Sequence, residues 1–345
     1  MQKIFIGIDV SKKNLDVSVI VRPENADFGT PSYCGSFANT KSGCDKIVKA
    51  VRKMAGGIPE EDWLFCVETT GGYSNCVCDS MHSMGMLVWR ESALQIKWSK
   101  GIVRGKDDKA DSGVIAEYAM RNSDKCVPYV PDSPEVSNLK ALFRYRASLV
   151  EERRAKLVRM KELKDTLRRS AQVDCMLKDM DRQVKQLDKS IAECQKRMAE
   201  IIDRDRSLKA SYRHITSIKG MGMVNAVGII IHTNNFQKIS DSRKFGCYCG
   251  VAPFYAQSGT SVHGQVDVKH LSNLQMKALL SNAATVAIRC NPDIKAYYDR
   301  LVKAGKCKGI ALNNTKNKLL RIVFSLIEHD CDYEENHEQK RAKIA

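Results

Sequence analysis

Four carboxylates stand at positions from which they could hold a pair of divalent metal ions. Asp9 closes the apolar run Ile6-Gly7-Ile8-Asp9-Val10-Ser11, and Glu68 closes Leu64-Phe65-Cys66-Val67 just before Thr69-Thr70-Gly71-Gly72. An acid that ends a buried strand can point out of the sheet edge into a site instead of into a core. Asp108 and Asp111 lie three apart where a helix begins, so both project from one helix face. Asp107 competes with Asp108 for the third place, but only Asp108 has an acidic partner at the helical i+3 position. Hard ions such as Mg²⁺ take oxygen ligands, and in pairs they bridge the attacking and leaving oxygens of phosphoryl transfer. Metal-assisted chemistry on a phosphodiester is therefore the expectation, with Mg²⁺ as the cofactor.

A different reactive group stands in Gln257-Ser258-Gly259-Thr260-Ser261. A serine beside glycine can approach a phosphodiester closely, and its hydroxyl becomes a nucleophile once a metal or base takes its proton. Spacing alone leaves Ser-Gly open to the reading of an ordinary turn. His263 and His270 are candidate proton carriers, and equally surface or core histidines. Upstream, Ser217-Ile218-Lys219-Gly220-Met221-Gly222 precedes a helix expected from about Val224. Such an apolar-Gly-x-Gly turn resembles a helix-hairpin-helix, whose backbone N–H groups at Lys219, Gly220 and Gly222 would hold a DNA phosphate.

The elements that must position these residues alternate through residues 1–130. Strands are expected at 3–9, 15–21, weakly at 35–37, at 63–68 and at 86–89, with helices at 42–54, 73–84 and 110–121. That alternation predicts a mixed α/β domain. Between Val136 and Tyr212 there is neither proline nor glycine, and leucine, methionine, isoleucine and valine recur at helical spacing. Two long helices forming a hairpin or coiled coil over 131–212 are predicted, broken near Ser170 to Asp174, with an apolar seam for self-association or packing. Glycines return after Tyr212, so 213–332 is read as a mainly helical third domain and 333–345 as a charged, frayed tail.

The chain of 345 residues carries 56 Lys and Arg against 40 Asp and Glu, a formal charge of +16. A polyanion is the most economical partner for that excess, because each neutralised phosphate releases counterions. No apolar run is long enough to span a bilayer, so no membrane role is expected. The first residues pass at once into an alternating apolar stretch without a secretory leader. Thirteen cysteines, an odd number with no C-x-x-C pair, fit a reducing cytoplasm and buried thiols better than a disulfide framework.

Three motifs together, Gly-Ile-Asp-Val-Ser-Lys (7–12), Val-Glu-Thr-Thr-Gly-Gly-Tyr (67–73) and Lys-Asp-Asp-Lys-Ala-Asp (106–111), resemble the DEDD signature of the RuvC-like transposases of the IS110 insertion-sequence family. The resemblance implies an RNase H-like fold for the first domain, with Asp9, Glu68, Asp108 and Asp111 as metal ligands. Phe245 to Pro253 followed by Gln257-Ser258-Gly259 resembles that family's second conserved region, and the likeness continues through 273–287 and 292–326. It implies that Ser258 is the catalytic nucleophile, with Ser261 the next candidate. It also implies DNA partners, a structured guide RNA, and a homo-oligomer, dimer or tetramer, whose acidic and serine domains meet between subunits. The expected function is a transposase of a bacterial or archaeal cytoplasm. A metal-only nuclease or junction resolvase is the alternative, in which water attacks. An actin-like kinase would need glycine-rich phosphate loops that do not follow Asp9.

Overall fold

The computed structural model describes residues 4–22, 29–69, 71–99, 108–252, 255–258, 262–265 and 272–335, with backbone alone for 108–110, 255–258 and 262–265. The chain divides into two compact units, Met1–Pro131 and Asp132–Ala345.

In the first unit five strands form one sheet in the order β3-β2-β1-β4-β5. β2 (Asn14–Val21) pairs antiparallel with both β1 (Ile4–Val10) and β3 (Ser32–Ala38), whereas β4 (Trp63–Glu68) and β5 (Leu87–Glu91) run parallel to β1. Helices α1 (Lys41–Met54), α2 (Ser74–Ser83), α3 (Ala93–Ser99) and α4 (Asp108–Arg121) complete the unit. Alternate residues face opposite sides of a strand. Ile4, Ile6 and Ile8 therefore join a core with Ile47 and Val51 of α1 and Val77 and Met81 of α2, while Phe5 joins another with Ile115, Ala116 and Ala119 of α4. Helices cover both faces, which is why the central strands read as continuous apolar runs and not as alternating ones. Three antiparallel strands continued by two parallel ones, with helices on both sides, is the RNase H-like arrangement.

Strand β4 matches its expected limits residue for residue, and the weak third strand is longer than expected. Helix α3 lies outside the elements that the sequence predicts, since it is seven residues long and buries only Ile96, too short a pattern to register as periodic.

The second unit opens with α5 (Pro134–Thr166) and α6 (Ala171–Arg204). Arg153 Nε lies 2.5 Å from Asp188 Oδ1 and Lys156 Nζ donates to Gln183 Oε1 at 2.6 Å, so the two helices run antiparallel as a hairpin. The break falls at 167–170, slightly ahead of its expected place, because the Ser170 side chain accepts from Val173 N and starts α6 there. Helices α7 (Arg206–Thr216), α8 (Met223–Thr233) and α9 (Ser242–Tyr248) follow. Next come strands β6 (Tyr255–Ser258) and β7 (Val262–Gln265), then α10 (Leu274–Cys290), α11 (Pro292–Lys303) and α12 (Lys308–Glu328). The core gathers Ile215, Ile229, Ile230, Phe245, Leu280, Ala284, Leu319 and Val323, together with Leu139 and Phe143 of α5 and Met198 and Ile202 of α6. The hairpin's base is thus built into the same core as the C-terminal helices, and the expected boundary near 212 falls inside this unit. The start of the tail is held as well: Tyr333 N donates to Ser217 Oγ at 2.8 Å and Tyr333 Oη to Asp293 Oδ2 at 2.9 Å.

Candidate active site

The parallel register of β1 and β4 pairs Ile8 with Val67, so the next residue on each strand, Asp9 and Glu68, stand side by side. Asp9 is also paired with Asp16 of β2, and Glu68 with Glu91 of β5. Residues opposite one another on neighbouring strands share a face, with Cβ atoms about 5 Å apart. Asp16, Asp9, Glu68 and Glu91 therefore form a row across four strands, all half-buried, at the end where β1, β4 and β5 finish. The carboxyl ends of parallel strands are where open α/β sheets place their ligands. Asp16 and Glu91 were not singled out from sequence, because an acid in a strand becomes part of a row only when the pairing register is known.

Helix α4 lies over this face. Gly7, two residues before Asp9, is the contact point: a Cβ there would fall 2.2 Å from Ser112 O and 2.3 Å from Ala116 N. Ser18 Oγ and Ser112 Oγ meet at 2.8 Å, both buried. Toward the other end of the helix, Met120 O accepts from Arg22 Nη2 at 3.2 Å, beside the starting end of β1. The helix thus runs from the carboxyl end of β1 toward its amino end, with Asp108 and Asp111 in its first turn and nearest the row. Asp111 is half-buried. The side chain of Asp108 and the whole of Asp107 lie outside the described residues. Among the described residues no group of three Asp, Glu, His or Cys side chains is closed around a metal position. The donor set nevertheless suits a hard divalent ion, because every candidate is a carboxylate.

The loops at this end are tied together. Asn39 Nδ2 donates to Ser11 O at 3.1 Å and to Tyr73 O at 3.0 Å, joining the turns after Asp9 and Glu68. Arg90 donates to Asn75 Oδ1 at 3.0 Å and to Gly71 O at 3.2 Å. Both Thr69 N and Thr69 Oγ1 donate to Glu91 O at 2.8 Å. Glu91 receives the Tyr118 hydroxyl at 3.2 Å, and burial together with that carboxylate pushes the tyrosine pKa up.

In the second unit Ser258 is the last residue of β6 and pairs with Val262 of β7. Ser258 thus stands at a strand end. His263 pairs with Gln257 in the same ladder, while Ser261 and His270 lie outside the described residues. Asn273 ties the chain on either side of the hairpin: Asn273 N donates to Tyr248 O at 2.8 Å and Nδ2 to Tyr248 Oη at 2.9 Å. Asn273 Oδ1 caps α10 by accepting from Met276 N at 3.0 Å, so its amide nitrogen must face His232 Nε2, 3.3 Å away. That nitrogen of His232 is then the acceptor, and Nδ1 carries the hydrogen toward Tyr248 Oη at 2.9 Å. Burial, then Lys140 and Arg144, lower the His232 pKa to about 4, so the imidazole is neutral at pH 7. Nothing in the spacing of residues 232, 248 and 273 signals this cluster.

The glycine turn at 217–222 connects α7 to α8. Gly220 adopts φ +105° and presses on α10, where a Cβ would lie 2.7 Å from Ala287 Cα, and Lys219 pairs with Glu335 at 3.1 Å.

An RNase H-like sheet that carries acids at its carboxyl ends, continued by a mainly helical unit, is the arrangement of a DEDD-type transposase. A DEDD transposase family model matches residues 6–169, and the model described as Transposase IS116/IS110/IS902 family matches residues 212–299. The chain belongs to the IS110 family of transposases. It is 22% identical over 337 residues to the pilin gene-inverting protein of Moraxella lacunata, covering 97% of this chain and 98% of that one, and equally so to its Moraxella bovis counterpart. An insertion element IS110 protein of Streptomyces coelicolor is 26% identical over 120 residues, 35% of this chain and 29% of that one. Among solved structures, T. thermophilus RuvC in complex with a Holliday junction substrate aligns with a TM-score of 0.25 and 14% identity, over 37% of this chain and all of that one. Membership of this family makes the protein a DNA-cleaving and rejoining enzyme. No described helix is long and apolar enough to cross a membrane.

Proposed function

We propose that the protein cuts and rejoins DNA through a covalent link to Ser258, assisted by Mg²⁺ held by Asp9, Glu68, Asp108 and Asp111. The observation that carries the metal half of this reading is the register that sets Asp9 beside Glu68 beneath the first turn of α4. Mg²⁺ bound there would neutralise charge developing on the phosphate and ease removal of the serine proton. The Ser258 hydroxyl attacks phosphorus, the bond from phosphorus to one sugar oxygen breaks, and that oxygen leaves with a proton. The hydroxyl of a second strand end then displaces serine by the reverse exchange, so no bond energy is consumed and no co-reactant is needed. A structured RNA as guide, and a dimer or tetramer in which the acids of one subunit meet the serine of another, belong to the same proposal. Full-length similarity to pilin gene-inverting proteins makes inversion within one DNA molecule a reaction to test alongside transposition.

Asp9→Ala, Glu68→Ala and Asp111→Ala are each expected to lower cleavage of labelled DNA in Mg²⁺ by at least about a thousandfold, with nucleic-acid affinity nearly unchanged. Cleavage retained in any of them removes that residue from the metal set. Wild-type protein trapped on labelled DNA is expected to run as a covalent adduct in denaturing electrophoresis, with the modified peptide containing Ser258. Ser258→Ala is expected to fold and bind yet form no adduct. Wild-type cleavage by Ser258→Ala would instead make water the nucleophile and favour the resolvase alternative.

A further inference from the structure

Lys316 of α12 is 7% exposed, and no described hydrogen bond or ion pair involves its ammonium group, which keeps a little solvent-accessible surface. Its stem is covered while the ammonium stays within reach of solvent, the arrangement in which a lysine can meet an arriving anion. Its neighbours show where it points. Asn313, Lys316 and Asn317 share one face of α12, and both asparagines donate from Nδ2 to Val251 O, at 2.7 and 2.6 Å. That carbonyl lies on the segment leading into β6 and Ser258. Lys277 of α10 comes to the same place, since a Cβ on Gly250 would lie 3.8 Å from its Cδ and 2.5 Å from the Cβ of Ser272. The Ser272 Oγ is buried and makes no hydrogen bond. Two lysines and an orphaned hydroxyl thus converge, without a described carboxylate partner, at the root of the serine-bearing hairpin.

We propose that Lys316, Lys277 and Ser272 form a binding site for a DNA backbone phosphate, which seats the strand to be cut beside Ser258. The inference rests on the reading of Ser258 as the reacting residue. A phosphodiester has two non-bridging oxygens, enough to accept from both ammonium groups and the hydroxyl, and charge-assisted contacts of this kind are the strong ones. Burial and the charge of Lys277 lower the Lys316 pKa in the free protein, a penalty that an arriving anion relieves. The two lysines are positioning residues for the proposed reaction.

The test uses the full-length protein and a duplex DNA oligonucleotide carrying an element end. Lys316→Met removes the charge while keeping most of the side-chain volume, so the free variant should melt no lower than the wild type. Its DNA affinity at fixed salt should fall about tenfold, and the slope of log affinity against log salt should shrink by about one, the signature of a lost phosphate contact. Lys277→Met should do the same, and Lys316→Arg should restore the wild-type slope. An unchanged slope in both methionine variants overturns the proposal. So does a drop in melting temperature of several degrees, which would mean that Lys316 serves the fold. A change in oligomeric state by sedimentation with the slope unaltered would assign the lysines to a partner subunit's carboxylate instead. Ser258→Ala run in parallel keeps the two readings apart: an adduct persisting in that variant defeats the serine assignment, while the slopes still decide the lysine site.

Discussion

Gly7 has no side chain, and the backbone of α4 occupies the place where one would be. Gly7→Ala should force the helix off the sheet, costing about 3 kcal/mol or more in urea unfolding, and should lower cleavage as well because α4 carries Asp111. A variant as stable as the wild type would show that the helix can yield without loss. His232 offers a second residue-level test. Its pKa is held at about 4, against 6.5 for a free imidazole, so the unfolded chain takes up the proton first as the pH falls. Stability should therefore be full above pH 6.5 and decline toward pH 4, by up to about 3 kcal/mol. Melting curves between pH 7 and pH 5 should show the decline in the wild type and a flatter profile in His232→Gln. At this scale the sequence points to groups that chemistry makes conspicuous, such as Asp9, Glu68 and Asp111. It is silent on Asn39, Glu91, His232 and Lys316, whose significance lies in what the fold brings next to them.

Elements were legible where one force dominated. β4 is buried on both faces and ends at an acid, so its apolar run has sharp limits. The long helices follow from uninterrupted periodicity without proline or glycine. β6 and β7 have four residues each, with serine, glycine and histidine among them, and their strand character comes from pairing with each other and not from propensity. The α5–α6 hairpin yields two expectations. Ser170→Ala removes the cap that starts α6 and should cost about 1 kcal/mol, read by chemical denaturation. Toward the hairpin tip, Leu157, Val158, Leu167 and Met176 are 39 to 51% exposed, while Leu149, Val184 and Met198 nearer the base are buried. If subunits associate through that tip, Leu157→Gln with Met176→Gln should shift sedimentation toward the monomer without lowering the melting temperature. An unshifted profile would exclude the tip as an oligomer contact.

The charge of the whole molecule is divided unequally. Residues 1–131 hold 17 Lys and Arg against 16 Asp and Glu, whereas residues 132–345 hold 39 against 24, so the second unit carries nearly all of the excess. Long-range attraction of a nucleic acid therefore acts on the serine-bearing unit, and the acidic sheet adds almost none of it. Each phosphate neutralised on duplex DNA contributes about −0.9 to the slope of log affinity against log salt. Binding should consequently weaken steeply with salt, and the loss should track charges removed from the second unit. Arg159, Lys161, Lys164 and Arg168 on the α5–α6 hairpin are exposed and make no described ion pair, as are Lys46, Lys49 and Lys53 on α1. Replacing the hairpin set with glutamine should flatten the salt slope and lower affinity for DNA or RNA, while replacing the α1 set should leave both nearly unchanged. Filter-binding or fluorescence titrations at several salt concentrations measure the difference. Equal effects from the two sets would mean that nucleic acid contacts both units alike, and an unaltered slope from the hairpin set would reserve its cations for the hairpin's own solubility.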